Sequence, residues 1–205
     1  PFAMNATACL VAIFVNQRLL EYGGDLAVGA FGIANRVAFI FIMINFGVNQ
    51  GMQPIAGYNY GAQNYDRLMR VLKLAMIAGT CVTTSGFIVA EFMPHLCVRL
   101  FTNDKVLTDL AVNGIRIMMA AMPIVGYQMI VTNFFQSIGK AKISIFLSLS
   151  RQLLFLVPLI GVMPLFFGVN GVWVAMPISD SFSALFALVM MVRYMRMFKK
   201  LQANG

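Results

Sequence analysis

Charged side chains are scarce in this sequence. Asp, Glu, Lys and Arg together make up 11% of the 205 residues, whereas soluble globular domains have about 25%. A chain with so few charges cannot cover a compact fold with a water-facing surface. Because 60% of the residues are hydrophobic, the composition indicates a membrane protein with no separate soluble domain.

Residues suited to metal or disulfide chemistry are also few. The single histidine, His95, has no second ligand at a metal-binding spacing, and the three cysteines lie in or beside apolar runs. An odd number of cysteines without such spacing favours buried thiols. We therefore predict no metal site, no cofactor and no catalytic residue. A membrane-embedded enzyme is the least favoured function, because Asp180 has no carboxylate or histidine at its depth to complete a catalytic pair.

Long apolar runs dominate what the sequence does contain. Each reaches the roughly 20 residues that an α-helix needs to cross about 30 Å of hydrocarbon. The runs are too long and too continuously apolar for the strands of a membrane barrel, which have about ten residues of alternating polarity. We predict one all-α domain, a bundle of six transmembrane helices without a sheet. The predicted spans are about 1–20, 26–56, 71–90, 106–135, 143–167 and 172–192 of a domain covering residues 1–205.

The net charge of +8 follows the predicted topology and does not indicate nucleic acid binding. With six crossings, both termini lie on one side of the membrane. Most of the basic residues fall on that side, and the other side has only Arg18, Arg99 and Lys105. The positive-inside rule then places the termini in the cytoplasm. We predict an integral protein of a bacterial inner membrane with no nucleic acid partner.

One polar stretch, GMQPIAGYNYGAQNYDRLMR at residues 51–70, separates two apolar runs. Pro54 lacks an amide hydrogen and Gly57 disfavours helix, so we predict that the second helix frays there and that residues 57–61 form a cytoplasmic turn. A phosphate loop is excluded, because the stretch follows a helix and lacks G-K-[ST]. The predicted structural residues of this turn are Gln53, Pro54, Gly57, Asn59 and Gly61.

The same stretch carries a resemblance. QPIAGYNYGA at residues 53–62 resembles the cytoplasmic hairpin in the second lobe of MATE transporters, the multidrug and toxic compound extrusion family. Further blocks follow in matching order: EYGGD at 21–25, LFTND at 100–104, FQSIGK at 135–140, RQLL at 151–154, and GVW at 171–173 followed by SD at 179–180. The resemblance covers nearly the whole chain and implies the C-terminal lobe, with six helices, of a twelve-helix transporter built from two lobes.

The resemblance implies part of a secondary antiporter that exports amphipathic, often cationic, compounds in exchange for H⁺ or Na⁺ by alternating access. The implied partners are a small-molecule substrate, the lipid bilayer and the N-terminal lobe of the same transporter. Some family members have membrane-embedded acids in the helices that correspond to the first and fourth here. This sequence has no acid in the first and only Asp109, toward the outer end, in the fourth, so the coupling ion is expected in the N-terminal lobe. The alternative is a lipid-linked saccharide flippase of the same broad superfamily, which would have more cationic residues in its cavity.

Three ionisable residues, Arg36, Arg151 and Asp180, fall near mid-depth in the predicted second, fifth and sixth helices. Charges there are costly, and each shares its helix face with small or hydroxylated residues, which is typical of helix contacts. We predict that Asp180 pairs with Arg151 or with Arg36. A structural ion pair is favoured, because a neighbouring arginine hinders protonation of a carboxylate. The alternative is that Asp180 exchanges a proton or a sodium ion during transport.

Uncharged polar residues in the second and fourth helices are further candidates for a substrate or ion pathway. They either line a wet cavity or join helices by hydrogen bonds, and the second role is favoured because Asn and Gln commonly bridge membrane helices. These candidates are Asn45, Asn49, Tyr127, Gln128 and Asn133.

Proline interrupts three of the predicted spans. Pro123, Pro158 and Pro177 lie in the fourth, fifth and sixth helices. Because each removes a backbone hydrogen bond, we predict a kink at each position.

Overall fold

The computed structural model describes the backbone of residues 2–203 and the side chains of residues 7–198. Pro1, where the first predicted span begins, lies outside this part. The described backbone is helical throughout and has no strand, so the all-α prediction is confirmed. A π-helical segment, Ser150–Leu156, lies between α6 and α7. The α-helices are α1 (Phe2–Gly61), α2 (Tyr65–Phe92), α3 (Pro94–Arg99), α4 (Lys105–Met119), α5 (Met122–Ser137), α6 (Ala141–Leu149), α7 (Val157–Phe167) and α8 (Val169–Ala203).

Helix α1 contains two membrane crossings. Gly24 interrupts it with φ 65° and ψ −167°, a conformation that side chains with a Cβ rarely adopt. Ala8 and Ile42, on either side of this break, line the same cavity. They would be about 50 Å apart in a straight helix rising 1.5 Å per residue. The chain therefore reverses direction at Gly24.

The remaining crossings follow from helix length and apolarity. Four helical segments of the described part are long and apolar enough to span a membrane. They are α1, α2, α8 and the continuous segment Ala141–Phe167, which consists of α6, the π-helical segment and α7. Helices α4 and α5 together form a further span that is bent by 50°. Because one of the four is α1, which contains two crossings, the described residues contain the six predicted crossings.

The predicted proline kinks have different outcomes. The bend between α4 and α5 lies next to Pro123, as predicted. Pro158 is the second residue of α7 and lies two positions after the end of the π-helical segment. Helix α8 remains helical through Pro177.

The polar stretch is mostly helix, and the predicted turn at residues 57–61 is wrong. Helix α1 continues through Pro54 and Gly57 to Gly61, and only residues 62–64 connect it to α2. A membrane helix tolerates the missing hydrogen bond of a proline where neighbouring elements pack against it. A Cβ at Gly57 would lie 3.1 Å from the backbone oxygen of Ser137. Gly57 therefore permits close packing of α1 on the end of α5.

The other predicted turn residues also belong to α1. The Asn59 side chain is buried and donates to the carbonyl of Ile55 at 2.8 Å. The Asn59 carbonyl accepts from the amide of Asn64 at 2.8 Å. Asn64 in turn caps the start of α2 by accepting from the amide of Arg67. These bonds fix the short connection, in which Gln63 has φ 56°.

Two hydrophobic clusters hold the bundle together. The aromatic cluster includes Tyr60, Tyr65, Phe135, Tyr194 and Phe198. Its ring contacts place the end of α8 beside the 62–64 connection, so both lie at one end of the bundle.

The second cluster, which we call the cavity cluster, includes Leu19, Phe31, Ile115, Met122 and Trp173. It joins both crossings of α1 with α4, α5 and α8. Phe31 and Trp173 meet edge to face, with ring centroids 5.7 Å apart.

Candidate functional site

An ion pair inside the bundle joins the π-helical segment to α8. Nε of Arg151 lies 2.7 Å from Oδ1 of Asp180. A second bond reinforces this contact, since the Ser179 hydroxyl donates to the backbone carbonyl of Arg151 at 2.9 Å. The predicted pairing of Asp180 with Arg151 is confirmed.

Each residue of the ion pair lies at or near an irregularity in its helix. Arg151 is the second residue of the seven-residue π-helical segment. Such segments close i→i+5 hydrogen bonds, occur mostly as short insertions in α-helices, and are frequent at functional sites. In α8, Pro177 precedes Asp180 by one turn and has no amide hydrogen to donate to the carbonyl of Trp173. The ion pair therefore bridges two locally weakened helices.

The pair borders a cavity of about 270 Å³ within the cavity cluster. Both crossings of α1, the α4–α5 bend, the π-helical segment and α8 contribute to its wall. The side chain of Arg151 is 37% exposed, against 12% for Asp180, so the guanidinium is the more accessible charge. The lining residues are Ala8, Val11, Ala12, Val15, Phe31, Asn35, Ile42, Met118, Met122, Val125, Arg151, Gln152, Leu156, Met176 and Asp180.

The chemistry of this wall suits an amphipathic molecule. Methionine side chains adapt to ligands of different shape, and three of them, Met118, Met122 and Met176, lie here. The bond to Asp180 uses Nε, one of five guanidinium donors. Oε1 of Gln152 is buried and has no hydrogen-bond partner among the described residues. The cavity thus combines a mainly apolar wall with a small number of polar groups, as ligand sites commonly do.

Arg36 is not part of this arrangement, and no described part of this lobe covers it, so the prediction that it faces protein stays a prediction. Its side chain is exposed, and it forms no ion pair with the described acids. A Cβ at Gly32, on the same face, would meet no atom within 4 Å. Small residues permit a helix contact but do not require one. The neighbouring Asn35, about 100° around the helix, lines the cavity instead.

Two of the uncharged candidates join helices through side-chain hydrogen bonds to oxygen. The Gln128 amide donates to the Ser183 hydroxyl, linking α5 to α8. The Gln53 amide donates to Oδ1 of Asn133 at 3.4 Å, linking α1 to α5. Asn133 also donates to the backbone carbonyl of Met129 at 2.9 Å. These contacts agree with the packing role that the sequence favoured.

The other three candidates also lie outside the cavity lining. The Asn45 amide contacts Sδ of Met129 at 3.6 Å, and the Asn49 amide donates to the Asn45 carbonyl at 3.1 Å. Tyr127 lines a shallow groove on the lobe surface with Pro123 and other residues. A pathway role for these residues stays a prediction.

The sequence analysis missed two polar residues of the cavity, Asn35 and Gln152. Each is adjacent in sequence to an arginine that was selected, so proximity to a charge near mid-depth was the available signal. The π-helical segment that sets the direction of Arg151 and Gln152 had no marker in the sequence.

Comparison with known proteins identifies the family. The family model MatE matches residues 2–160, which include most of the cavity lining and Arg151. The chain belongs to the MatE family. This result confirms the resemblance based on the sequence blocks.

Individual relatives agree with this assignment. The MatE chain is 24% identical over 188 residues to the multidrug export protein MepA of Staphylococcus aureus strain N315, covering 92% of this chain and 41% of MepA. It therefore spans less than half the length of this curated relative.

Solved structures show the same fold. The MATE multidrug transporter DinF-BH matches with a TM-score of 0.82 and 36% identity, over 94% of this chain and 43% of that one. An outward-facing multidrug resistance MATE family transporter of the MOP superfamily matches with a TM-score of 0.88 and 20% identity, over 97% of this chain and 45% of that one.

Proposed function

We propose that this MatE chain is one lobe of a secondary antiporter that exports amphipathic, often cationic, compounds in exchange for H⁺ or Na⁺. The observation that carries the proposal is the cavity of about 270 Å³ beside the Arg151–Asp180 pair. Its methionine and phenylalanine wall suits varied apolar groups, and its few polar groups suit the polar part of such a ligand. The names of MepA and DinF-BH, a multidrug export protein and a multidrug transporter, support export as the activity.

In the proposed transporter the cavity of this lobe forms one wall of the substrate site, and an N-terminal lobe supplies the other wall. The chain covers 41% of MepA, which leaves room for such a second lobe. A site between two rigid bundles becomes accessible to either face when the bundles rock relative to each other, which is alternating access. The bonds between α5 and α8 and between α1 and α5 support motion of this lobe as a unit.

We place the coupling carboxylate in the N-terminal lobe. The support within this chain is the 2.7 Å contact that holds Asp180 against Arg151. The described residues also contain no group of three or more His, Cys, Asp or Glu side chains suited to a metal ion. Under this proposal the pair maintains the shape of the cavity while the ion binds elsewhere.

The proposed location is a bacterial inner membrane, with both termini of this chain in the cytoplasm. The support is the basic bias of the side that contains the 62–64 connection and the end of α8.

Filling the cavity tests the proposal. Ala12 lines the cavity, and Ala12→Trp in the full-length protein would occupy much of its volume. We expect export of the fluorescent cation ethidium from cells to fall at least tenfold while the thermal midpoint of the purified protein changes little. The control is Ala78→Trp, at an exposed position on α2, which should leave export unchanged. Export by Ala12→Trp at the control level would contradict the proposed binding site.

Driving the same assay with Na⁺ and H⁺ gradients imposed separately identifies the coupling ion. We expect one of the two gradients to sustain export. Export that responds to neither gradient would contradict antiport.

A further inference from the structure

A polar cleft is formed by the part of the chain that follows α2, away from the cavity. It has a volume of about 530 Å³ and is bordered by residues of α3, of the connection at 100–104 and of the first turns of α4. Because α2 crosses the membrane, this cleft lies at the face opposite the 62–64 connection. Its charged and titratable side chains are His95, Arg99, Lys105 and Asp109.

The cations of this cleft lack the acidic partners that neighbouring cations have. Arg18 pairs with Glu21 at 2.7 Å, and Arg116 lies 3.9 Å from Glu91.

Arg99 and Lys105 form no ion pair within the described residues, although Asp109 borders the same cleft. Asp104, which caps α4 by accepting from the amide of Val106 at 2.8 Å, does not line the cleft. The lining of the cleft therefore contains two cations, Arg99 and Lys105, against one carboxylate, Asp109.

Exposed apolar side chains lie near these cations in the sequence. Helix α3 buries Cys97 and Val98 against the bundle, while Leu96, next to His95, is 53% exposed. Leu100, next to Arg99, is 75% exposed, and Phe92 at the end of α2 is 79% exposed. Cations beside apolar groups at a membrane face are typical of segments that contact headgroups and acyl chains together.

We propose that this cleft binds the headgroup of an anionic phospholipid on the membrane face opposite the 62–64 connection. The phosphate contacts Arg99 and Lys105, and His95 and the hydroxyl of Thr102 border the same space. The acyl chains pass over Leu96, Leu100 and Phe92. These apolar groups favour a lipid over a free anion, because a free anion gains nothing from them. The site is independent of the proposed export activity.

Lipid retention by the full-length protein tests the proposal. The protein is placed in nanodiscs of equal parts phosphatidylglycerol and phosphatidylcholine, and retained lipids are counted by native mass spectrometry. We expect selective retention of phosphatidylglycerol. Arg99→Gln with Lys105→Gln should weaken it roughly 30-fold, because each cation near an anionic lipid contributes about 1 kcal/mol and about 1.4 kcal/mol is tenfold. Since both side chains are exposed, the thermal midpoint in phosphatidylcholine should not change.

The matched control removes two exposed arginines at the opposite face, with Arg193→Gln and Arg196→Gln. It should lower retention less than threefold. Equal losses in the two double variants would show a general charge effect and overturn the site. Unchanged retention in the Arg99 and Lys105 variant would overturn it as well.

A further variant separates a lipid from a free phosphate. Leu96→Ser with Leu100→Ser keeps both cations and should reduce phosphatidylglycerol retention, while excess inorganic phosphate should not displace the lipid from the unchanged protein. Displacement by inorganic phosphate, together with full retention in the serine variant, would assign the cleft to a free anion and overturn the lipid proposal.

Discussion

The two clusters of this lobe fill space in different ways. In the aromatic cluster, Phe198 stacks on Tyr65 with ring centroids 5.6 Å apart and contacts Tyr60 and Tyr194 at 6.1 and 6.0 Å. Phe135 meets Tyr194 edge to face at 5.0 Å. The cavity cluster instead borders an opening of about 270 Å³ and an ion pair.

The backbone also differs between the two clusters, because irregular helix geometry occurs mainly beside the cavity. The π-helical segment, the α4–α5 bend and Pro177 all lie beside the cavity. At the aromatic end, α1 continues through Pro54 without a break. Irregular backbone thus accompanies the opening, while ring packing fixes the helix ends. We infer that the aromatic cluster mainly supplies stability and that the cavity cluster supplies the binding site.

The largest expected effect comes from neutralising one member of the ion pair. Asp180→Asn leaves Arg151 without its counterion in the membrane interior, where a lone charge costs about 2.5–3.5 kcal/mol. We expect a large loss of folded protein by size-exclusion chromatography and a lower thermal midpoint. Asp25→Asn, at an exposed position, is the control and should have little effect.

The opposite outcome would favour ion coupling. An Asp180→Asn protein that folds normally and binds ethidium, but no longer responds to a proton or sodium gradient, would assign the coupling role to Asp180.

The next largest loss of stability is expected from a steric clash where α2 packs on α5. This contact connects the two clusters. A methyl group at Gly126 would overlap the Thr83 hydroxyl and the backbone oxygen of Gly79. Because backbone cannot easily move, we expect Gly126→Ala to cost about 1–3 kcal/mol, measured as a lower thermal midpoint. The control is Gly47→Ala, whose new methyl meets no atom within 4 Å. Equal midpoints for the two variants would refute this contact.

A change in the aromatic cluster should affect stability without affecting binding. Phe198→Leu removes three ring contacts, and aromatic pairs contribute about 0.5–1.5 kcal/mol each. Because contacts that share one ring are not additive, we expect a loss of about 1–2 kcal/mol, less than the sum of three pairs, and unchanged ethidium binding per folded molecule. Phe166→Leu, at a position that is 77% exposed, serves as control. Weakened binding without a stability loss would contradict the separation of roles.

A smaller effect is expected from the bond between α5 and α8. In a double-mutant cycle with Gln128→Leu and Ser183→Ala, we expect a coupling free energy of about 0.6 kcal/mol, the average for hydrogen bonds between membrane helices. The measurement is unfolding in mixed micelles. A coupling near zero would show that the contact does not hold these helices together.

The smallest expected effect is at Arg36. Because its side chain is exposed and unpaired within the described part, Arg36→Gln should change stability by less than about 0.5 kcal/mol. The matched comparison is Arg151→Gln, which leaves Asp180 without its partner and should be strongly destabilising. A large loss of folded protein from Arg36→Gln would show that this face packs against protein after all.

Run length and hydropathy were sufficient to predict the helical fold, because the bilayer imposes both. The pairing of Asp180 with Arg151 was predictable from depth and cost. The turn was placed too early, because propensity at Pro54 and Gly57 ignores the support that α5 provides. The partner of the Arg36 face was not predictable, because a face of small residues looks the same whether or not a helix of this lobe packs on it. The π-helical segment depends on tertiary packing, so no local pattern indicated it.

The most direct test of the account exchanges the two charges of the pair. Arg151→Asp combined with Asp180→Arg restores opposite charges at the same two positions. If the pair stabilises the cavity through its charges, each single substitution should lower the yield of folded protein, and the exchanged protein should regain most of that yield. An exchanged protein that folds no better than the single variants would contradict the account, as would single variants that fold normally.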